Sequence, residues 1–231
     1  MIDFYYAPTP NGWKIAIMLE ETGLPYRLKL VDLVKGEQYS ESFRAISPNG
    51  RIPVIVDRDG EQPLPIFESG AILLHLANKT GKFLSITPSV KSATIQWLMW
   101  QMSALGPMLG QHGHFMLYAP EKIPYAIKRY GRETRRLYGV LDQQLAKTGK
   151  CITGEYSIAD MACFPWIMTH KKQGLSLEDY PQIKRWFVEL RARDALQRGL
   201  SLGKGMTLSM ESVSPEVKAR FYGYENEKVT P

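Results

Sequence analysis

Hydrophobic periodicity changes character once along this chain, near Leu84, and that change restricts the fold more than any single motif. Ahead of it, short alternating runs are interleaved with helical ones. Ile2, Phe4 and Tyr6 alternate with Asp3 and Tyr5, the pattern of a half-buried strand. Residues 8–12 form a turn-rich break, and a helix is predicted over about residues 13–22 with Ile15, Met18 and Leu19 on one face. Gly23 stands where a C-cap glycine belongs, and Pro25 prevents resumption. Tyr26, Leu28 and Leu30 alternate with Arg27 and Lys29 as a second strand. Residues 35–44 read as loop and short helix, 53–56 as a third strand, 57–60 as a turn, and Leu64–Phe67 as a fourth strand in a hairpin with the third. Ser69 is predicted to cap a helix that carries Ala71, Leu74 and Leu76 and ends at Gly81. The order β-α-β, connection, β-β-α gives a mixed sheet with helices packed on it.

Behind Leu84 no convincing strand remains. Residues 85–89 are polar and include Pro88, the texture of an interdomain linker. Ile95, Leu98, Met99, Met102 and Leu105 mark one helix, and Ile127, Tyr130, Thr134, Leu137, Leu141 and Leu145 a second. Ser157 through Asp160 read as a capping-box start for a third, and Ile183, Trp186, Phe187 and Leu190 mark a fourth behind Pro181. The second part is therefore an α-helical bundle, and the fold class is α/β followed by all-α. From Lys204 the pattern fades, and Phe221, Tyr222 and Tyr224 allow either an extension anchored on the body or a loosely ordered tail.

Charge and cysteine usage narrow the function. The net charge is +6, but it is dispersed. Its densest stretch, Lys128, Arg129, Arg132, Arg135 and Arg136, alternates with apolar residues as a solvated helix face does. With no nucleic-acid-binding signature beside it, a small anionic ligand is the better partner. Cys151 and Cys163 have neither redox-pair nor zinc-site spacing, and two cysteines make no disulfide framework. The strand-like opening shows no signal peptide and no apolar run is long enough for a bilayer, so a cytoplasmic location without membrane contact is expected. His112 and His114 do not share a helical face, so no metal site is expected. Residues 199–204 only superficially resemble a phosphate loop. Cys163, Trp97, Trp100 and Met102 read as core.

Three loops could carry chemistry. In Ala7-Pro8-Thr9-Pro10-Asn11-Gly12, a helix N-terminus offers N–H groups and a partial positive charge, and Thr9 and Asn11 can add donors, though the same residues also build turns and caps. In Ser47-Pro48-Asn49-Gly50-Arg51-Ile52-Pro53-Val54, a cis Ile52–Pro53 bond would expose the Ile52 backbone to an extended peptide, whereas a trans bond makes a plain loop. In Phe67-Glu68-Ser69-Gly70, Glu68 can pair with an ammonium while Ser69 and the helix start hold the neighbouring carboxylate.

These runs, together with Tyr156-Ser157-Ile158-Ala159-Asp160, resemble the cytosolic glutathione transferases over about residues 1–203. The first turn, Leu105-Gly106-Pro107-Met108-Leu109-Gly110-Gln111 and Ile123-Pro124-Tyr125-Ala126-Ile127-Lys128-Arg129-Tyr130 resemble the bacterial nu class. The resemblance implies a thioredoxin-like glutathione-binding domain at 1–84, a linker at 85–90, an α-helical domain at 91–203 and an extension at 204–231. It further implies a homodimer that binds two glutathiones or one oxidised glutathione and reduces disulfides. Thr9 and Asn11 are implied at the sulfur, with Ile52, Pro53, Glu68 and Ser69 on the peptide, and Gln38 and Arg129 reaching the ligand. The first turn lacks the Tyr, Ser or Cys of other branches, so the ligand's own thiol is the expected nucleophile, attacking a small disulfide. Two alternatives stay open: conjugation of electrophiles, and non-catalytic glutathione binding in a regulatory protein.

Overall fold

Aromatic and aliphatic residues are concentrated in four short strands: β1 (Ile2–Tyr6), β2 (Tyr26–Leu30), β3 (Val54–Asp57) and β4 (Leu64–Phe67). In the computed structural model, which describes residues 1–205 and Ala219, they form one mixed sheet in the order β2-β1-β3-β4. β1 runs parallel to β2, and β3 runs antiparallel to both β1 and β4. Asp3, expected on an open face, is buried beneath ion pairs from Arg27 and Arg58.

The helix α1 (Pro10–Thr22) starts earlier than its periodicity predicts. Pro10 takes a first-turn position, where a missing N–H leaves no gap, and Thr9 is the cap. Gly23, at φ 70°, closes the helix in the left-handed region. Ile15, Ala16, Ile17, Met18 and Leu19 are all fully buried, so α1 has no solvent stripe along this stretch. It packs on α3 (Ser69–Thr80), α7 (Ile158–Ile167) and α9 (Asp194–Ser201). The short α2 (Glu41–Arg44) follows a 3-10 turn at Glu37–Tyr39. Ser69 is the first helical residue of α3 and not its cap; Glu68 takes the cap position, at φ 68°.

Beyond the sheet, α4 (Pro88–Trp100) begins inside the stretch read as linker. It runs through a π-helical turn, Gln101–Leu105, into α5 (Gly106–Gly113). The ladder widens where Pro107 offers no N–H, and the Gly106 N–H reaches back to the Gln101 carbonyl. A second π turn, His114–Tyr118, precedes α6 (Pro124–Thr148); α7, α8 (Pro181–Arg191) and α9 follow. The capping box at Ser157 is present: Ser157 N–H donates to Asp160 at 3.0 Å and the Ser157 side chain caps α7. The predicted phosphate-loop look-alike is the end of α9 and the residues after it. The basic residues from Lys128 to Arg136 lie exposed on α6.

One buried cluster runs from Ile2 in β1 to Leu196 in α9 and includes both cysteines. Among the described residues no helix is long and apolar enough to cross a membrane, and no three metal-ligating side chains converge. The expectations for Phe221, Tyr222 and Tyr224 lie outside the described residues.

Candidate functional site

A cleft of about 600 Å³ opens where the N-termini of α1 and α3 meet the segment ahead of β3, walled on the far side by the first π turn, α5 and α7. Of the residues singled out in the sequence, Asn11, Ile52, Pro53, Glu68 and Ser69 line it. They come together because all three loops leave or enter the same end of the sheet. The first turn is tight: a Cβ on Gly12 would meet the Ala7 carbonyl at 2.2 Å, so only glycine fits there.

Thr9 does not line the cleft. Its hydroxyl accepts the Gly12 N–H at 3.2 Å, which is the capping role. Pro10 has no N–H, and the Thr9 hydroxyl proton, which the cap leaves unused, lies outside the cleft lining, so the donors Asn11 brings to the cleft are its backbone N–H and its side-chain amide. The indole of Trp166 on α7 donates to Asn11 Oδ1 at 3.0 Å. Indole N–H is a donor only, so this bond fixes the amide's orientation and leaves Nδ2 as the free donor.

The Ile52–Pro53 bond is cis, and both residues precede the paired register of β3, which starts at Val54. Glu68 is exposed and accepts from Asn49 Nδ2 at 3.4 Å. Its φ of 68° is uncommon for a residue with a Cβ and is worth about 1–3 kcal/mol of strain. Such strain is characteristic of ligand-holding backbone.

Besides Thr9, two further predicted residues are not brought to the cleft. Gln38 is buried in its 3-10 turn, donating to the Leu33 carbonyl at 3.4 Å. Arg129 sits on the solvent side of α6, where it lines a separate notch with Met108, Tyr130, Arg132 and Glu133, because the buried side of α6 is Gly131, Thr134, Leu137 and Leu141.

Four cleft residues were not anticipated: Lys14, Gln101, Trp166 and Met102, the last having been read as core. Lys14 is 1% exposed, and its Nζ donates to Gln101 Oε1 at 2.6 Å and Ser69 Oγ at 3.3 Å. Burial lowers its pKa to about 7, against the opposing pull of Cys163 and Glu68. A cation on the stripe it shares with Met18 was the one available sequence signal. Neither cysteine lines the cleft. Burial pushes the Cys151 thiol up to about 12 and raises Cys163 further.

Residues 9–79 match the family described as "Glutathione S-transferase, N-terminal domain", and residues 107–194 match "Glutathione S-transferase, C-terminal domain". The chain is 53% identical to "Disulfide-bond oxidoreductase YfcG" of Escherichia coli over 203 residues, 87% of this chain and 94% of that protein. Among solved structures it is similar to a glutathione transferase of Burkholderia graminis with two glutathione molecules bound per subunit (TM-score 0.82, 41% identity, 88% of each chain). It is likewise similar to a glutathione transferase of Pseudomonas putida with one glutathione disulfide per subunit (TM-score 0.83, 40% identity, 87% of this chain and 91% of that one).

Proposed function

The chain belongs to the glutathione S-transferase family, and from that premise we propose that it is a glutathione-dependent disulfide-bond oxidoreductase. The observation that carries the reading is that the cleft offers donors for a thiolate but no protein thiol, since both cysteines are buried elsewhere. The nucleophile must then arrive with the ligand. The likeness to a disulfide-bond oxidoreductase, and to structures holding paired or oxidised glutathione, supports the same choice.

In this reading the tripeptide backbone runs along Ile52 and Pro53, its amino-acid head lies at Glu68 and Ser69, and its sulfur faces Asn11. A free thiol has a pKa of about 8.5, so a donor amide and the helix N-terminus raise the thiolate fraction at neutral pH. The thiolate attacks one sulfur of the substrate disulfide, that S–S bond breaks, and the departing thiolate takes a proton. A second glutathione thiolate attacks the mixed disulfide, releases the other substrate thiol and leaves oxidised glutathione. Two glutathiones supply the two electrons. Asn11 is the donor at the sulfur, and Thr9 holds the turn that presents it. Gln38 and Arg129 have no part in this reading.

A homodimer accompanies the proposal. Leu64 and Phe67 on β4 and Val90 and Met99 on α4 are exposed and give such a pairing apolar surface; sedimentation equilibrium measures it.

The deciding measurement is reduction of 2-hydroxyethyl disulfide by glutathione, coupled to glutathione reductase. Turnover by the wild type, lost in the Asn11→Ala/Thr9→Ala variant, supports the reading. Binding of glutathione without turnover, or faster conjugation of a chlorinated aromatic electrophile, would replace it.

A further inference from the structure

Lys14 has no role in the exchange just described, yet it is the only lysine or arginine buried among the described residues. The buried carboxylates are accounted for. Asp3 and Asp57 hold ion pairs, and Asp160 accepts N–H groups from Ile152, Ser157 and Trp186. Lys14 forms no ion pair with any described residue. Its contacts are neutral acceptors: Gln101 Oε1 at 2.6 Å, Ser69 Oγ at 3.3 Å and Met102 Sδ at 3.9 Å.

In its charged form Lys14 has three donors and no acceptor, so the ammonium dictates how its neighbours turn. Gln101 must present its carbonyl oxygen to Lys14. Ser69 must present its oxygen, which leaves the Ser69 proton to point elsewhere, towards the cleft or the Met102 sulfur at 3.6 Å. An unpaired buried cation is costly, and an anion seated on Ser69 would supply the missing counter-charge.

We infer that Lys14 is the buried counter-charge for the α-carboxylate of the ligand's amino-acid head group, acting through Ser69 as a positioning residue. The inference rests on the glutathione reading above. It makes the site selective for a free α-amino-acid terminus, in which Glu68 takes the ammonium and the Ser69–Lys14 pair the carboxylate. Without ligand, burial favours the neutral amine near pH 7 and above. Arrival of a carboxylate reverses that preference, so binding draws in a proton. The titratable groups facing Lys14 are Glu68 at the start of α3 and Cys163 on α7, and the second stays a neutral thiol.

The test uses two probes on the full chain, followed by isothermal titration calorimetry. One is S-methylglutathione; the other carries 4-aminobutyryl in place of γ-glutamyl and so lacks only the α-carboxylate. The wild type should prefer the first by about tenfold or more, the scale of a hydrogen bond to a charged group. Lys14→Met should reduce that preference to about threefold or less while leaving affinity for the second probe within about twofold. Equal weakening of both probes would assign Lys14 a structural role and overturn the inference, as would an unchanged preference. Should Lys14→Met not fold, the wild type decides alone. Titrations near neutral pH in buffers of different ionisation enthalpy should show proton uptake with S-methylglutathione and much less with the other probe, and equal uptake overturns the inference. Failure of both probes to bind removes the glutathione reading and the inference together. Binding that ignores the carboxylate removes the inference alone.

Discussion

At the scale of single residues, the cleft divides into groups visible in the sequence and groups that were not. Asn11, Ile52, Pro53, Glu68 and Ser69 sit in turn motifs whose residue types already suggest donors, an exposed backbone and an ion pair. Lys14, Gln101 and Trp166 reach the cleft from helices, and nothing local marks a glutamine or tryptophan that acts on a residue as distant in sequence as Asn11 is from Trp166. Trp166 illustrates the consequence. Trp166→Phe keeps a ring near Gly110, whose Cβ would lie 3.4 Å from the indole, but removes the N–H that fixes Asn11. Losing one such hydrogen bond is worth about 1 kcal/mol, so kcat for disulfide reduction should fall about fivefold with glutathione affinity little changed. A loss of affinity equal to the loss of kcat would show that Trp166 shapes the cleft and does not orient the amide. Thr9 allows a parallel separation. Thr9→Ser keeps the capping oxygen and should keep both stability and turnover, whereas Thr9→Ala should lower stability by about 1 kcal/mol in urea unfolding. If Thr9→Ser lost turnover while remaining stable, the threonine would have a role beyond its cap.

At the scale of elements, strand and helix identities were legible because period and punctuation agree, and the misreadings fall where tertiary contacts decide. Asp57 was read as part of a turn, as an aspartate before Arg-Asp-Gly should be. It is the last residue of β3, held there by His75 Nε2 at 2.8 Å and Lys79 Nζ at 2.9 Å from α3. Burial works against its charge, but the hydrogen bonds from Lys79 and His75 prevail and hold its pKa at about 2. A depressed carboxylate stabilises the fold above its unfolded value and loses that contribution as pH falls through its folded value. Stability should therefore decline from about pH 4 towards pH 2, and Asp57→Asn should flatten that part of the profile. The same variant should cost about 2 kcal/mol at neutral pH, read by thermal unfolding. An unchanged acid limb in Asp57→Asn would mean that the contact does not hold α3 to the sheet. Several elements behind Leu84 were not legible: the π turn at Gln101–Leu105, α5, the π turn at His114–Tyr118 and α9. At the first of them Pro107 marks a break in the ladder, but periodicity does not say whether a proline ends a helix or widens it.

At the scale of the whole molecule, the change of texture near Leu84 separates two kinds of secondary structure without separating two cores. α1 is the reason. Its sequence suggests one apolar stripe, but Ile15 through Leu19 are buried all round, because α7 and α9 cover what the sheet leaves open. Gly199 on α9 comes so close that a Cβ there would lie 2.8 Å from the Ile17 backbone nitrogen, and Arg193 holds Glu21 with bonds of 2.6 and 2.8 Å. No local pattern in residues 13–22 could announce a partner helix nearly two hundred residues away. A fragment ending at Leu84 would expose the outer face of α1, and the buried Lys14 would lose Gln101, its shortest contact. Each large apolar side chain so exposed forgoes about 1.5–3 kcal/mol, and a few of them equal the whole stability of a small domain. Residues 1–84 alone should therefore lack amide-proton dispersion by NMR and melt without a cooperative transition. The full chain should unfold in one step whose calorimetric and van't Hoff enthalpies agree. Gly199→Ala, which separates α9 from α1, should lower that single midpoint by about 5 °C without splitting it. A cooperative, dispersed fragment, or a full chain melting in two steps, would show that the cleft is built between independent units and that its two walls are free to move apart.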